Sequence, residues 1–139
     1  MRIAVASHDG LTVEGDIGRW RKWIVFEIEA REEREERGRS TLKRLKPSRT
    51  LILPKAMVLH HYRDGQSHPL ADCDAVIGAI SSESVVRRMA LRGVDAVATA
   101  ETDLYKALSD YIKRQITPPQ QRCIEALIFR VRAFFSADL

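Results

Sequence analysis

The sequence predicts an α/β fold with one mixed sheet, antiparallel in its first half and parallel in its second, and with helices on the faces of the sheet. Two observations carry this prediction. The first half contains short apolar runs typical of an antiparallel meander. The second half alternates strand-like and helix-like segments, an order that implies parallel strands joined by right-handed crossovers. With 139 residues, the chain has room for one core and little room for a second.

The first half is expected to form three strands. An apolar run over residues 2–7 predicts the first strand, because it ends at the turn-forming sequence His-Asp-Gly. Apolar residues at every second position of 24–28 predict a second strand with one strongly buried face. Its hairpin partner is expected at 41–46. The intervening residues 29–39 are charged on every side, and they are interpreted as a solvated hairpin tip or a short solvated helix.

The second half shows clearer periodicity. Its predicted elements are, in order, a helix within 51–62, a buried strand over 75–80, a helix over 82–92, a short strand over 94–99 and a helix after residue 102. The first helix is expected to start at Pro54, since proline suits a first helical turn. Gly93 is expected to end the second helix and Thr102 to cap the third.

The last part of the chain, residues 114–139, is predicted to be a Pro-Pro linker followed by an extra C-terminal helix outside the domain formed by residues 1–113. Apolar residues form a continuous stripe on this helix: Ile124, Leu127, Ile128, Val131, Phe134 and Phe135. Two alternatives are open. The helix packs back on its own domain, or it forms a homodimer or partner contact.

Composition narrows the class of protein. Apolar residues make up 45% and charged residues 30% of the chain, which is ordinary for a soluble domain. No apolar run approaches the ~20 residues that a membrane span needs, and the N-terminus does not resemble a signal peptide. A cytoplasmic location is therefore expected. The net charge of +4 is spread along the chain, so no nucleic-acid partner is expected.

Several segments follow one another in a distinctive order. They are residues 2–7 followed by Asp9 and Gly10, the glycine loop 15–18 (Gly-Asp-Ile-Gly) leading to 26–28, residues 72–77 (Asp-Cys-Asp-Ala-Val-Ile), and residues 92–95 (Arg-Gly-Val-Asp) with Thr99. In this order and spacing the chain resembles the dinitrogenase iron–molybdenum cofactor biosynthesis domain family. The resemblance covers roughly residues 1–113.

The resemblance implies a ribonuclease-H-like fold. It also implies binding of an iron–molybdenum cofactor or its iron–sulfur precursor, and partners among cofactor-assembly or nitrogenase-type proteins. Many members carry Gly-His-x-Gly in the glycine loop, whereas this chain has Asp16 at the histidine position. A carboxylate is a harder ligand than imidazole or thiolate.

Five residues are candidate metal ligands because imidazole and thiolate bind iron well: His8, His60, His61, His68 and Cys73. Structural or surface roles are the alternative for each histidine. If His60 and His61 lie in one helix, they diverge by about 100° and cannot both face one metal. For Cys73 the alternative is a small buried side chain, because the start of a parallel strand lies opposite the edge that binds ligands.

Arg19, Arg21 and Lys22, with Asp16, are candidate cofactor-binding residues. Iron–sulfur clusters and homocitrate-bearing cofactors are negatively charged, so cations beside the glycine loop suit them. The alternative is that these charges are solvated beside two packed tryptophans.

The residues and the resemblance together predict a non-catalytic carrier of an iron–sulfur or iron–molybdenum cofactor that delivers its cargo to a partner. The alternative is a cofactor-free interaction or regulatory module with the same fold. A nuclease is rejected, because the first strand offers no carboxylate for a pair of divalent cations. No nucleophile–base pair follows from the spacing, so no enzyme activity is expected.

Overall fold

The computed structural model describes residues 1–29, 46–62 and 67–113. Its strands are β1 (Arg2–Ala6), β2 (Lys22–Glu27), β3 (Arg49–Ile52), β4 (Ala75–Gly78) and β5 (Asp95–Ala98), and its α-helices are α1 (Glu83–Ala90) and α2 (Leu104–Ile112). The strands form one sheet in the order β3-β2-β1-β4-β5. Strands β1, β2 and β3 pair antiparallel, whereas β1, β4 and β5 pair parallel. The predicted mixed α/β sheet is confirmed.

The sheet is buried on both faces. On one face lie α1 and the side chains of Ala4, Ala6, Trp23, Val25, Val76, Ala96, Val85, Val86 and Met89. On the other face lie α2 and the side chains of Ile3, Val5, Ile24, Phe26, Ile77, Val97, Leu104 and Leu108. Successive side chains of a strand point to opposite faces, so each central strand contributes to both cores. Strand β2 was predicted to have one strongly buried face, and the structure buries both.

The region after β3 differs from its prediction. A helix starting at Pro54 is wrong, because the chain forms two single 3₁₀ turns, η1 (Lys55–Met57) and η2 (Leu59–His61). Between them Val58 is buried and extended, with φ −60° and ψ 150°. That conformation interrupts the helical hydrogen-bond pattern. The side chain of Val58 can therefore enter the core while the turns on either side stay short.

The helix ends show which polar side chains act as caps. As predicted, α1 ends before Gly93, which has φ +77°, and the hydroxyl of Ser82 accepts from the N–H of Val85. Thr102 as the cap of α2 is wrong. The cap is Asp103, whose carboxylate accepts from two backbone N–H groups, whereas the backbone carbonyl of Thr102 accepts from Val13 N at 2.8 Å.

Three predictions fall wholly or mostly outside the described residues: the hairpin partner at 41–46, the charged segment 29–39 and the C-terminal helix within 114–139. The partner strand that the structure describes for β2 is β3. Within the described parts of the chain, no helix is long and apolar enough to cross a membrane.

Candidate functional site

The carboxyl ends of the parallel strands β1, β4 and β5 lie at one edge of the sheet, the carboxyl edge. Each strand is followed there by a buried hydroxyl group, on Ser7, Ser81 and Thr99 respectively. Ligands of open α/β sheets bind outside this edge. The candidate site is therefore built from the loops that leave it.

The loop after β1 is a tight turn organised by Asp9. Its carboxylate accepts from the N–H groups of Leu11 and Thr12, both at 2.8 Å, and these hydrogen bonds lower the pKa of Asp9. Ser7 Oγ accepts from Gly10 N at 2.9 Å. The turn leaves the side chain of His8 exposed at the carboxyl edge.

The glycine loop, residues 15–18, is attached to the end of β4. The carbonyl of Gly15 accepts from Ala79 N at 3.0 Å and from Ile80 N at 3.1 Å. In return, Ile17 N donates to the carbonyl of Ile80 at 2.8 Å. These bonds fix the loop at the carboxyl edge rather than leaving it free in solvent.

Close packing explains two of the glycines in this region. Gly15 has φ +80°, and a Cβ there would lie 2.6 Å from Cζ3 of Trp20. Gly78, at the end of β4, lies against Ile17, whose Cγ1 would be 2.6 Å from an added Cβ. A side chain at either position would displace the loop or its neighbour, so the loop conformation depends on both glycines.

Asp16 organises the glycine loop from within. Its carboxylate Oδ1 accepts from Gly18 N at 3.0 Å. Its backbone carbonyl accepts from Arg19 N at 2.9 Å and Trp20 N at 2.8 Å. The N–H groups of these three residues are thus used inside the loop, which distinguishes it from a phosphate-binding loop that points its N–H groups at a ligand.

His60 and His61 lie beside the glycine loop, although they are more than forty positions away in the sequence. His60 N donates to the carbonyl of Gly18 at 2.6 Å. Both histidine side chains are exposed, and their ring centres are 5.2 Å apart with an angle of 69° between the planes. The adjacent residues therefore do not diverge as they would on a regular α-helix.

Arg88 of α1 holds the backbone around these histidines. Its guanidinium donates to the carbonyl of Tyr62 at 2.9 Å and reaches the carbonyl of His60 at 3.4 Å. Arg92, one turn further along, lies over the Tyr62 ring at 4.2 Å. Sequence analysis missed Arg88, because nothing in the local pattern links it to residues about thirty positions earlier.

His68 is buried and has both ring nitrogens in hydrogen bonds. Nδ1 accepts from Leu70 N at 3.0 Å, and Nε2 lies 2.6 Å from the carbonyl of Met57. This arrangement needs the proton on Nε2, so the ring is neutral. Burial lowers the pKa of His68, and the charge of Arg92 lowers it further. Its ring also packs on Tyr62, with centres 4.7 Å apart.

Cys73 precedes β4 and therefore lies at the opposite, amino edge of the sheet. Its neighbour Asp74 donates its N–H to the carbonyl of Arg2, at the start of β1. The thiol is buried, and burial, aided by the charge of Asp72, raises its pKa to about 11. Cys73 is thus a protonated thiol in the core, away from the glycine loop and the two exposed histidines.

The basic residues after the glycine loop have separate roles. Lys22 donates from Nζ to the carbonyl of His8 at 2.8 Å, and Arg21 donates from Nε to the carbonyl of Leu53 at 2.8 Å. Arg19 is exposed. The indole Nε1 of Trp20 is buried with no hydrogen-bond partner among the described residues. Within the described residues, Arg19 is therefore the one of these three cations whose side chain donates no hydrogen bond to a backbone carbonyl.

The structure thus brings some of the predicted residues together and separates others. His8, Asp16, Arg19, His60 and His61 belong to loops and turns at the carboxyl edge, where Lys22 begins β2. Cys73 lies at the amino edge, and His68 is enclosed between η1 and Tyr62. Within the described residues, no group of three or more His, Cys, Asp or Glu side chains is placed to hold a metal ion.

Comparisons with known proteins bear on the fold. No protein-family model matches the chain, and no curated protein matches it significantly. Among solved structures, the crystal structure of PH0822 matches with a TM-score of 0.55 and 13% sequence identity. The match covers 84% of this chain and 94% of that one. At this identity the likeness concerns the fold alone, and it supports a mixed α/β sheet with helices.

Proposed function

We propose that the chain is a non-catalytic carrier that binds an iron–sulfur or iron–molybdenum cofactor, or its precursor, and delivers it to a partner protein. One observation carries the proposal. Two exposed imidazoles, those of His60 and His61, stand beside a rigidly attached glycine loop at the edge of the sheet where α/β proteins bind ligands.

The chemistry of this edge suits a cargo that must leave again. Imidazole is a good ligand for iron, and exposed side chains leave the bound metal open to a partner. A closed cage of four thiolates would hold its cluster too firmly to release it. The exposed guanidinium of Arg19 adds positive charge, which favours a negatively charged cluster.

In this proposal the remaining candidate residues support the site. Asp16 maintains the glycine loop through its bond to Gly18 N. Lys22 ties β2 to the loop that carries His8. His68 fixes the chain between η1 and β4 through its two hydrogen bonds, and Cys73 fills the core.

A second candidate is a cofactor-free interaction or regulatory module of the same fold. One observation favours it: the carboxylate of Asp16 is engaged with the backbone of its own loop, at the position where many members of the family that the sequence resembles carry histidine. Such a protein would retain the glycine loop for its structural role only.

The proposal includes a ribonuclease-H-like fold for residues 1–113 and an additional helix within 114–139 that contacts its own domain, a second copy or a partner. It also includes a cytoplasmic location, no nucleic-acid partner and delivery to cofactor-assembly or nitrogenase-type proteins. These elements follow from the resemblance and from sequence patterns.

The test is anaerobic loading of the purified chain with isolated iron–molybdenum cofactor or a reconstituted iron–sulfur precursor, followed by desalting and quantification of iron and molybdenum per chain. The carrier proposal expects near-stoichiometric metal that falls strongly in a His60→Ala/His61→Ala variant. A Cys73→Ser variant serves as the matched control and should retain its metal. Absence of retained metal in the unaltered protein would refute the carrier and favour the interaction module.

A further inference from the structure

The rings of His60 and His61 are close to each other although the residues are adjacent. Their backbone forms the end of η2, and the chain leaves it at Tyr62 in an extended conformation, with φ −68° and ψ 130°. This geometry brings the two ring centres to 5.2 Å. No hydrogen bond from either ring occurs within the described residues, so both rings can rotate without breaking one there.

The separation of the rings matches that of two imidazoles on one metal ion. An ion about 2.1 Å from one nitrogen of each ring would hold the ring centres roughly 4.5 to 5.5 Å apart. We propose that His60 and His61 together chelate a single first-row transition-metal ion, with its other coordination positions left open. In this proposal the two rings turn one nitrogen each toward the ion by rotation of their side chains.

The backbone of the pair is fixed from three directions. His60 N donates to the carbonyl of Gly18 at 2.6 Å, and His61 N donates to the carbonyl of Val58 at 2.9 Å. Arg88 holds the exit of the turn through the carbonyls of Tyr62 and His60. Preorganisation of this kind reduces the entropy lost on binding. Arg88 is therefore a positioning residue that acts on the metal through the two histidines.

Two protein ligands leave part of the coordination sphere of a transition-metal ion unfilled. No third His, Cys, Asp or Glu side chain within the described residues completes it, so that part of the chain leaves the remaining coordination positions to other ligands, such as water or the cargo itself. The adjacent guanidinium of Arg88 favours cargo ligands that carry negative charge, such as sulfide or carboxylate. The biological cargo named here rests on the proposed function, whereas the chelating pair does not.

The experiment titrates the full chain, without an affinity tag, with Ni²⁺ alone and measures binding by calorimetry and by the NMR signals of the histidine rings. One ion per chain is expected, with the largest signal changes at His60 and His61. His60→Ala and His61→Ala should each weaken binding on the order of 100-fold, because the second ligand contributes through its high effective concentration. The matched control, His8→Ala, removes another exposed histidine of the same edge and should leave binding unchanged.

Arg88→Lys keeps the positive charge but loses the two-carbonyl contact, and it should weaken Ni²⁺ binding about tenfold. The ring signals of His60 and His61 in the metal-free protein should also shift. Unchanged affinity together with unchanged ring signals would refute the positioning role. Absence of Ni²⁺ binding, or equal affinity in either single histidine variant, would overturn the chelating pair.

The two proposals fail in different ways. Ni²⁺ binding that depends on both histidines, without retention of any cluster, supports the chelating pair and refutes the carrier. Retention of a cluster that survives both histidine substitutions refutes the pair as the ligands of the cargo, whether or not the pair binds Ni²⁺.

Discussion

Replacement of Gly15 by alanine should destabilise the protein more than the same replacement at Gly93, although the two backbones have nearly the same conformation. Their φ angles are +80° and +77°, where a residue with a Cβ loses about 1–2 kcal/mol. The two positions differ in the space around them. Nothing lies within 4 Å of a Cβ added to Gly93, whereas one added to Gly15 would overlap the ring of Trp20.

The overlap sets the magnitude of the difference. Overpacking of a filled site costs about 1–3 kcal/mol. The free energy of unfolding should therefore fall by about 2–5 kcal/mol in Gly15→Ala and by about 1–2 kcal/mol in Gly93→Ala. Gly10→Ala is a second control, because Gly10 has φ +78° and equally open surroundings.

The assay is urea unfolding followed by far-ultraviolet circular dichroism, with the free energy extrapolated to water. The Gly15→Ala substitution would also be measured in a Trp20→Ala protein, which separates the overlap with the ring from the backbone strain. Without the indole ring, Gly15→Ala should cost only the about 1–2 kcal/mol of the backbone strain. Equal losses for Gly15→Ala and Gly93→Ala would refute the account of the loop as a segment packed against Trp20. An undiminished loss in the Trp20→Ala background would refute it as well.

Further predictions concern titration and capping. Burial lowers the pKa of His68 below its ordinary value of 6.5, so the unfolded chain binds the proton more readily and the unfolding free energy should decrease as the pH falls below about 6.5. A His68→Gln variant, measured by urea unfolding at pH values on both sides of the ordinary histidine pKa of about 6.5, should lack this decrease. The same dependence of unfolding free energy on pH in both proteins would contradict the prediction. The pKa of about 11 for Cys73 predicts slow alkylation by iodoacetamide in the folded Cys123→Ser protein and fast alkylation after unfolding. Mass spectrometry would follow the reaction, and rapid alkylation of the folded protein would count against a buried thiol. Asp103→Ala should lower the unfolding free energy by about 1 kcal/mol and Thr102→Ala by clearly less, and the reverse order would restore Thr102 as the cap.

Periodicity in the sequence was sufficient to predict the sheet and the two α-helices of the second half. Apolar residues of β4, α1, β5 and α2 recur at the spacings of buried strands and amphipathic helices, and the alternation implies the parallel pairing that the structure has. Gly93 was predictable as a helix end because its backbone adopts the conformation that glycine favours.

Local patterns could not decide between neighbouring residues of similar type. Thr102 and Asp103 are both good caps. In the structure the carboxylate of Asp103 accepts from N–H groups at the start of α2, and the carbonyl of Thr102 accepts from Val13 N. Likewise, the extended conformation of Val58 follows from its burial in the core. Both outcomes involve contacts between segments that are distant in the sequence, and the periodicity of a sequence does not predict such contacts.

The same limit applies to the candidate site. The cluster of His60, His61 and His68 was visible in the sequence, but only the fold separates the buried, hydrogen-bonded His68 from the two exposed rings. The placement of Cys73 before a parallel strand did indicate the amino edge. The contact between Gly18 and His60, which brings the pair to the glycine loop, joins residues more than forty positions apart.

Delivery of the cargo is the property that defines a carrier, and its measurement tests the account most directly. The chain would be loaded with an iron–sulfur cluster anaerobically and mixed with an acceptor protein lacking its cluster, in the presence of a chelator that captures free iron. The account predicts that the cluster reaches the acceptor despite the chelator, and that the His60→Ala/His61→Ala variant does not deliver it. If the chelator captures all the iron before the acceptor receives any, or if the unaltered protein and the variant deliver alike, the account is contradicted.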